Sequence, residues 1–206
     1  YQGVQKLPQG HVLVCKEGRV RINSYWDLAS RIVHGAECNK VTTEEHLKEQ
    51  LYEKLRRAVS AQMVSDVPVG AFLSGGVDSS AVVGFMVGEN RKPVNTFSIG
   101  FEEPSYSELS FAQEVASFLH TVHHAQIIRP ELENLLPFLA RRLGEPFGDT
   151  AFLPTYLLSE LARRSVKVVL SGDGGDETFA GYETYLADRL HPIYQRVPKP
   201  IRQWVI

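Results

Sequence analysis

The chain has 206 residues, with 22 basic and 24 acidic side chains and a formal net charge of −2 at pH 7. This near balance, without a long block of either sign, disfavours a nucleic-acid or anionic-membrane surface. No apolar run approaches the roughly 20 residues that cross a bilayer, and the first residues do not read as a signal peptide. We therefore expect a soluble, cytoplasmic protein. Its two cysteines are too few for a disulfide framework or a four-ligand zinc site.

The first forty residues predict a small antiparallel hairpin followed by a connector. Strand-like runs at His11–Cys15 and Val20–Ile22 flank Glu17-Gly18, a pair that suits a tight turn. Two strands do not form a stable unit alone, and the sequence does not begin with methionine. We expect residues 1–40 to be the end of another domain with its linker, and residues 41–206 to be a second domain.

From residue 41 onwards, apolar strands alternate with helical patterns. A helix is expected to begin at the capping sequence Thr42-Thr43-Glu44-Glu45. Further strands are expected at Val69–Leu73, Val94–Ile99, His123–Ile128 and Val166–Leu170. Further helices are expected over residues 79–87, 107–119, 132–143, 153–164 and 178–189. Continuous apolar strands separated by helices are typical of a parallel sheet covered on both faces, which is a doubly wound α/β fold.

A glycine-rich loop, Ser74 to Ser80, directly follows the strand Val69–Leu73. Adjacent glycines and serine hydroxyls at a strand end let backbone N–H groups wrap an anion, and the next helix adds its positive end. The Walker pattern would place a lysine in the region where Asp78 stands. A carboxylate repels phosphate unless a hard cation lies between them, so Asp78 predicts Mg²⁺.

A second loop, Ser171 to Glu177, follows the last strand and combines three glycines with Asp173, Asp176 and Glu177. In doubly wound sheets, ligands bind beyond the carboxyl ends of strands, where the strand order reverses. If the two strands are neighbours, Asp78 and Asp176 hold one Mg²⁺ or a pair and neutralise a leaving pyrophosphate. For Glu177, capping of the next helix is the alternative role.

Other side chains have less specific interpretations. His120, His123 and His124 lack a cysteine or carboxylate at ligand spacing, so strand-end and surface positions are favoured over a metal site. Tyr182 and Tyr185 are expected to be packing residues, with lining of the substrate pocket as the alternative.

The motifs together resemble a known family. Ser74 to Ser80 looks like the pyrophosphate loop of N-type ATP pyrophosphatases. With Phe97-Ser98-Ile99-Gly100-Phe101 and the second loop followed by Gly181-Tyr182, the chain is similar to the synthetase domain of glutamine-dependent asparagine synthetases, through residues 41 to 189. Residues 7 to 28, with Leu-Pro-Gln-Gly-His and Tyr-Trp-Asp-Leu, resemble the end of that family's glutaminase domain and its linker.

The resemblance implies a set of binding residues. It implies that the adenosine part of ATP is contacted by Leu73, Ile99, Ser171 and Gly172, and the pyrophosphate by Ser74, Gly75, Gly76, Asp78 and Ser79. It implies Asp78 and Asp176 as magnesium ligands. It also implies an activity, in which an acid and ATP form an acyl-adenylate, pyrophosphate leaves, and ammonia from a glutaminase domain missing here attacks the activated carbonyl.

Departures from the family pattern bear on the substrate. Asparagine-forming members usually have glutamate at the position of Asp173, near the adenylate and placed to take a proton from ammonia. Asp173 is one methylene shorter than glutamate, so the general-base role is expected of it with a different reach. Residues 145–150 also lack the Thr-Thr-x-Arg typical of the best-known asparagine-forming members. The expected acid is aspartate, with a sugar acid or another carboxylate as one alternative, and a non-catalytic ATP-binding module as another.

The family's C-terminal part is expected to lie beyond Ile206, together with a lysine that contacts the transition-state phosphates. The chain alone is therefore expected to bind ATP and to turn over poorly. A homodimer is the assembly expected.

Overall fold

The computed structural model describes residues 2–37, 43–90, 92–103, 107–129, 132–145 and 147–196. Contacts divide the chain into two units, one up to Leu51 and one from Tyr52 onwards. The dividing point falls inside a helix, so the domain boundary expected between residues 40 and 41 stays a prediction. No helix in the described ranges is both long enough and apolar enough to span a bilayer.

The first unit contains the predicted hairpin. Strand β1 (His11–Lys16) pairs antiparallel with β2 (Arg19–Ser24), and Lys16 lies opposite Arg19. The two connecting residues, Glu17 and Gly18, have φ of 52° and 74°. Two consecutive positive φ angles match the right-handed twist of a hairpin, which confirms the predicted turn.

A helix, α1 (Leu28–Glu37), follows in the stretch that the sequence interpretation treats as a connector. The carboxylate of Asp27 accepts a hydrogen bond from the Ser30 backbone N–H at 2.7 Å. Aspartate is a favoured residue for this capping contact. Asp27 is therefore the local sequence signal for the start of this helix.

The next helix, α2 (Glu44–Gln62), spans the dividing point. The Thr43 hydroxyl accepts a hydrogen bond from the His46 backbone N–H at 3.4 Å, which confirms the predicted cap. The later elements are β3 (Val69–Phe72), α3 (Val77–Glu89), β4 (Asn95–Phe101), α4 (Leu109–Phe118), β5 (Val122–Ile128), α5 (Leu132–Leu143), α6 (Phe152–Ala162), β6 (Val168–Leu170), α7 (Gly175–Phe179) and α8 (Glu183–Arg196).

The four later strands form one parallel sheet in the order β5-β4-β3-β6. Strand β3 pairs with β4 on one side and with β6 on the other. The chain thus moves outward from β3 to β5 and then returns past β3 to β6. The strand order reverses between β3 and β6, so the loops after these two strands leave the sheet side by side.

Both faces of the sheet are covered. Ala71 and Leu73 join a buried cluster with residues from α2, α3 and α4. Phe72 packs against the other cluster, to which Ala162 of α6 belongs. Successive strand residues point to opposite faces, so β3 contributes to both layers. The predicted doubly wound α/β fold is confirmed.

One predicted helix is wrong. The sequence pattern predicts a helix over residues 178–189, but α7 ends at Phe179 and α8 begins at Glu183. Between them, Ala180 adopts a left-handed conformation with φ of 58°, and the Gly181 N–H bonds to the Asp176 carbonyl at 3.0 Å. Such a reversal ends a helix, and the apolar spacing of the segment does not reveal it.

The half-buried His123 on β5 belongs to a hydroxyl network. Its Nδ1 lies 2.9 Å from Thr96 Oγ1, which lies 2.8 Å from Thr121 Oγ1. Its Nε2 is buried without a hydrogen-bond partner among the described residues. Burial, and then the neighbouring His124, holds the pKa of His123 below its ordinary 6.5.

We expect this histidine to make stability depend on pH. As pH falls below about 6.5, the unfolded chain binds a proton at His123 that the folded chain resists, so the free energy of unfolding decreases. His123→Asn should flatten this dependence, because asparagine does not take up a proton in this pH range. Denaturant titrations at several pH values measure it, and equal pH slopes for wild type and His123→Asn would contradict the prediction.

Candidate active site

A cavity of about 750 Å³ lies at the carboxyl ends of β3, β4 and β6. It brings together almost all of the predicted site residues, namely Leu73, Ser74, Gly76, Asp78, Ser79, Ile99, Ser171, Gly172, Asp173 and Asp176. Gly75 belongs to the first loop but is not among the lining residues. It lies against α4, where a Cβ would come within 2.7 Å of the Ala112 backbone N. Its φ of 87° also favours glycine. The loop can approach α4 this closely because residue 75 has no side chain.

Serine hydroxyls shape the first loop from within. The Ser79 hydroxyl donates to the Gly76 carbonyl at 3.2 Å and accepts from the Ser74 N–H at 3.3 Å. Ser74 Oγ lies 2.9 Å from Ser79 Oγ and accepts from the Gly76 N–H at 3.2 Å. Because the single Ser79 proton is directed to Gly76, the Ser74 hydroxyl donates to Ser79. Both hydroxyls are thus engaged inside the loop.

The first turn of α3 has backbone N–H groups that could hold an anion. Gly76 is the N-cap and places no side chain over the helix end. The first N–H groups of a helix have no acceptor within the helix, and the helix dipole makes this end positive. A Cβ at Gly172, in the second loop, would come within 2.8 Å of the Ser79 N. Glycine at position 172 therefore lets the second loop pack directly against the first turn of α3.

The second loop carries the remaining predicted acids. The Ser171 hydroxyl donates to Asp173 Oδ2 at 3.0 Å. Asp176, in the first turn of α7, lines the cavity. Glu177 is not among the lining residues; its Oε1 accepts the Tyr182 hydroxyl at 2.7 Å. This bond lowers the pKa of Glu177 and raises the pKa of Tyr182 to about 12.

The two loops touch at Asp78. A Cβ placed on Gly175 would lie 2.5 Å from Asp78 Oδ2 and 2.9 Å from Oδ1. The Asp78 carboxylate therefore packs directly against the backbone of α7, one residue before Asp176. The structure thus brings the two predicted magnesium ligands to the same part of the cavity.

The cavity is rich in carboxylates. Asp78, Glu108, Asp173 and Asp176 line it, and no lysine, arginine or histidine does so among the described residues. No three His, Cys, Asp or Glu side chains in the described ranges are grouped as a metal site. Two carboxylates suit Mg²⁺, which usually completes its coordination with water and phosphate oxygens. The residues present fit that ion when it is held jointly with a phosphorylated ligand.

The sequence interpretation missed several lining residues. They are Phe72, Val77, Ser98, Phe101, Glu108, Pro154, Thr155, Leu158, Gly175, Phe179 and Gly181. Five of them stood within the quoted motifs and could have been assigned from those motifs, namely Val77, Ser98, Phe101, Gly175 and Gly181. Glu108 and the α6 residues carry no local motif, because only the folded sheet brings them to the loops.

We expect Gly175→Ala to displace the Asp78 carboxylate, because the new methyl group would occupy its place. Binding of Mg²⁺-ATP should weaken about tenfold or more, which corresponds to at least about 1.4 kcal/mol. Gly88→Ala is the matched control, since a Cβ there meets nothing within 4 Å. Titration calorimetry on the folded variants measures the affinity, and an unchanged affinity in Gly175→Ala would show that Asp78 is not constrained in this way.

A family match and similar relatives of known name agree on one protein family. Residues 50–203 match the asparagine synthase family. A putative glutamine-hydrolysing asparagine synthetase 2 of Methanocaldococcus jannaschii is 40% identical over 185 residues, covering 89% of this chain and 34% of that protein. Glutamine-hydrolysing asparagine synthetase 1 of Bacillus subtilis is 32% identical over 214 residues, covering 100% of this chain and 34% of that protein.

More distant relatives are also similar. The amidase chyE of Penicillium rubens is 29% identical over 209 residues, covering 92% of this chain and 30% of that protein. Among solved structures, NMN synthetase of Francisella tularensis superposes with a TM-score of 0.45 and 22% identity, covering 65% of this chain and 58% of that chain. The chain spans about a third of the length of the curated relatives it matches. Because the family match covers most of the sequence, the chain belongs to the asparagine synthase family.

Proposed function

We propose that this chain is the ATP-dependent synthetase part of an enzyme that converts a carboxylic acid into its amide through an acyl-adenylate. The observation that carries the proposal is the cavity in which both glycine-rich loops meet, with Asp78 against Gly175 and Asp176 nearby. A helix N-terminus for phosphates and carboxylates for a cation lie together there. Family membership supports the same reaction class.

The proposed reaction has two steps. A carboxylate oxygen of the acid attacks the α-phosphorus of ATP, the bond to the β-phosphate breaks, and pyrophosphate leaves. Ammonia then attacks the activated carbonyl carbon, loses a proton, and AMP leaves. The first step is needed because a free carboxylate is a poor electrophile. The backbone N–H groups at the start of α3 would stabilise the negative charge that develops on the departing pyrophosphate.

Asp78 and Asp176 are the proposed Mg²⁺ ligands. When bound, the ion would neutralise phosphate charge and assist departure of pyrophosphate. Without such a cation, the carboxylates of the cavity would oppose the binding of a polyphosphate, since like charges repel strongly in a partly desolvated site. Asp78 would be held in place by the backbone of Gly175.

Asp173 is the proposed general base for the ammonia step. Its Oδ2 accepts the Ser171 hydroxyl at 3.0 Å, which orients the carboxylate at the cavity. A proton acceptor must come within hydrogen-bond reach of the attacking nitrogen. Because aspartate is one methylene shorter than glutamate, the acyl-adenylate would have to lie closer to the second loop.

Aspartate is the proposed acid, because the relatives from M. jannaschii and B. subtilis carry the name asparagine synthetase. Their name also describes glutamine hydrolysis, which would supply ammonia from another domain. A different carboxylic acid, such as a sugar acid, is the second candidate. The side chain of Asp173, which stands where asparagine-forming members usually have glutamate, favours this second candidate. A cytoplasmic location and a homodimer stay predictions.

The acid can be identified by acid-dependent exchange of pyrophosphate into ATP, measured with the complete protein and Mg²⁺. We expect exchange with aspartate and not with glutamate, sugar acids or buffer alone, because only an acid that fits the cavity forms the adenylate. Exchange with a different acid would replace aspartate in the proposal. Tight ATP binding without exchange for any acid would favour a non-catalytic ATP-binding module.

Asp78→Asn and Asp176→Asn should each reduce this exchange about a hundredfold or more, as expected when stabilisation of transition-state charge is lost. Asparagine keeps the shape of the side chain, so the packing of Asp78 against Gly175 should persist. Asp66→Asn is the control, since Asp66 is exposed and lies outside the cavity lining. Both site variants exchanging at the wild-type rate would remove these ligands from the proposal.

A further inference from the structure

One peptide group at the entrance to the first loop is held at both ends by serine hydroxyls. The buried Ser98 on β4, only 4% exposed, donates its hydroxyl hydrogen to the Leu73 carbonyl oxygen. On the other side, the Ser74 N–H donates to Ser79 Oγ at 3.3 Å. In a trans peptide the C=O and N–H point in opposite directions, so these two bonds together fix the plane of the Leu73–Ser74 peptide.

The bond from Ser98 replaces a hydrogen bond of the sheet. The Leu73 N–H still bonds to the Phe97 carbonyl on β4 at 2.9 Å. In a parallel ladder, the Leu73 carbonyl would accept from a backbone N–H of the same neighbour. Here a side chain supplies the donor instead, and β3 ends at Phe72. The chain can therefore turn into the loop without leaving a buried carbonyl unpaired.

We propose that Ser98 is a positioning residue for the phosphate-binding loop, an inference that rests on the proposed function. Without its hydroxyl, the Leu73 carbonyl becomes a buried acceptor that lacks this donor, and such groups are costly. The peptide can relieve that cost by rotating, which swings the Ser74 N–H away from Ser79. Ser79 stands in the first turn of α3, so the rotation disturbs the N–H groups that hold the phosphates.

Thr96 offers a matched control on the same strand. It lies two residues before Ser98, so both side chains point to the same face of β4. It is fully buried, and its hydroxyl lies within hydrogen-bond distance of Thr121 and His123. It does not line the cavity. Loss of this hydroxyl should reduce stability without changing the loop.

The experiment compares Ser98→Ala with Thr96→Val in equilibrium titrations of the chain with Mg²⁺-pyrophosphate, Mg²⁺-ATP and adenosine. Ser98→Ala should bind both phosphate ligands about tenfold more weakly, the effect of roughly one hydrogen bond. Adenosine binding should change less than about twofold, because the Leu73 side chain stays in its buried cluster. Thr96→Val should bind all three ligands like wild type.

The outcomes separate a positioning role for Ser98 from a general contribution to stability. Wild-type affinity in Ser98→Ala, or an equal loss in Thr96→Val, overturns the role of Ser98 while leaving the proposed function intact. A wild-type chain that binds neither phosphate ligand overturns both. If Ser98→Ala does not fold, the isosteric pair Ser98→Thr and Ser98→Val makes the same comparison, and equal phosphate affinities in that pair overturn the proposal.

Discussion

The Asp78 carboxylate occupies the space that a side chain at Gly175 would need. This contact joins two loops that are far apart in the sequence, and it exists only because β3 and β6 are neighbours, with Ala71 opposite Leu170. The outward path from β3 to β5 and the return to β6 create that neighbourhood. The cavity therefore depends on the topology of the sheet, since neither loop forms it alone.

The negative charge of the lining carboxylates is the second constraint on what the cavity can bind. Its described lining contains carboxylates from three separate segments and no cationic side chain. Among the described groups of this lining, backbone dipoles are what would attract a polyphosphate, together with a cation if one is bound. Under the proposed function, binding of the nucleotide and binding of the metal would be coupled, because each would reduce the electrostatic cost of the other. This coupling would also explain why the proposed phosphate-binding loop has Asp78 where Walker-type nucleotide-binding loops use lysine.

Much of the fold follows from local patterns in the sequence. The apolar run before Ser74 and the helical pattern after it predict β3 and α3, and together they place the first loop at a strand end. The pairing of β3 with β6 could be assumed but not predicted, because the spacing of strands in a sequence does not determine their order in the sheet. Glu108 reaches the cavity from the residue before α4, and no motif marks it. Tertiary contacts of this kind depend on the sheet as a whole.

The break between α7 and α8 shows why one helix prediction was wrong. Helical spacing through residues 178–189 is a weak prior, and a left-handed residue overrides it. Ala180 carries the strain of a positive φ, about 1–2 kcal/mol for a residue with a Cβ. The Gly181 N–H bond to Asp176 and the Tyr182 bond to Glu177 offset that strain.

Those two bonds connect the break directly to the site. Both end on residues of α7, and a Cβ on Gly181 would collide with Asp176 Oδ1. The chain after α7 therefore folds back over the Asp176 side chain instead of continuing away from it as a helix. A straight helix would remove this contact and leave Asp176 constrained only by its own turn. The reversal at Ala180, which the helical pattern of residues 178–189 does not predict, thus holds Asp176, a proposed magnesium ligand, at the cavity.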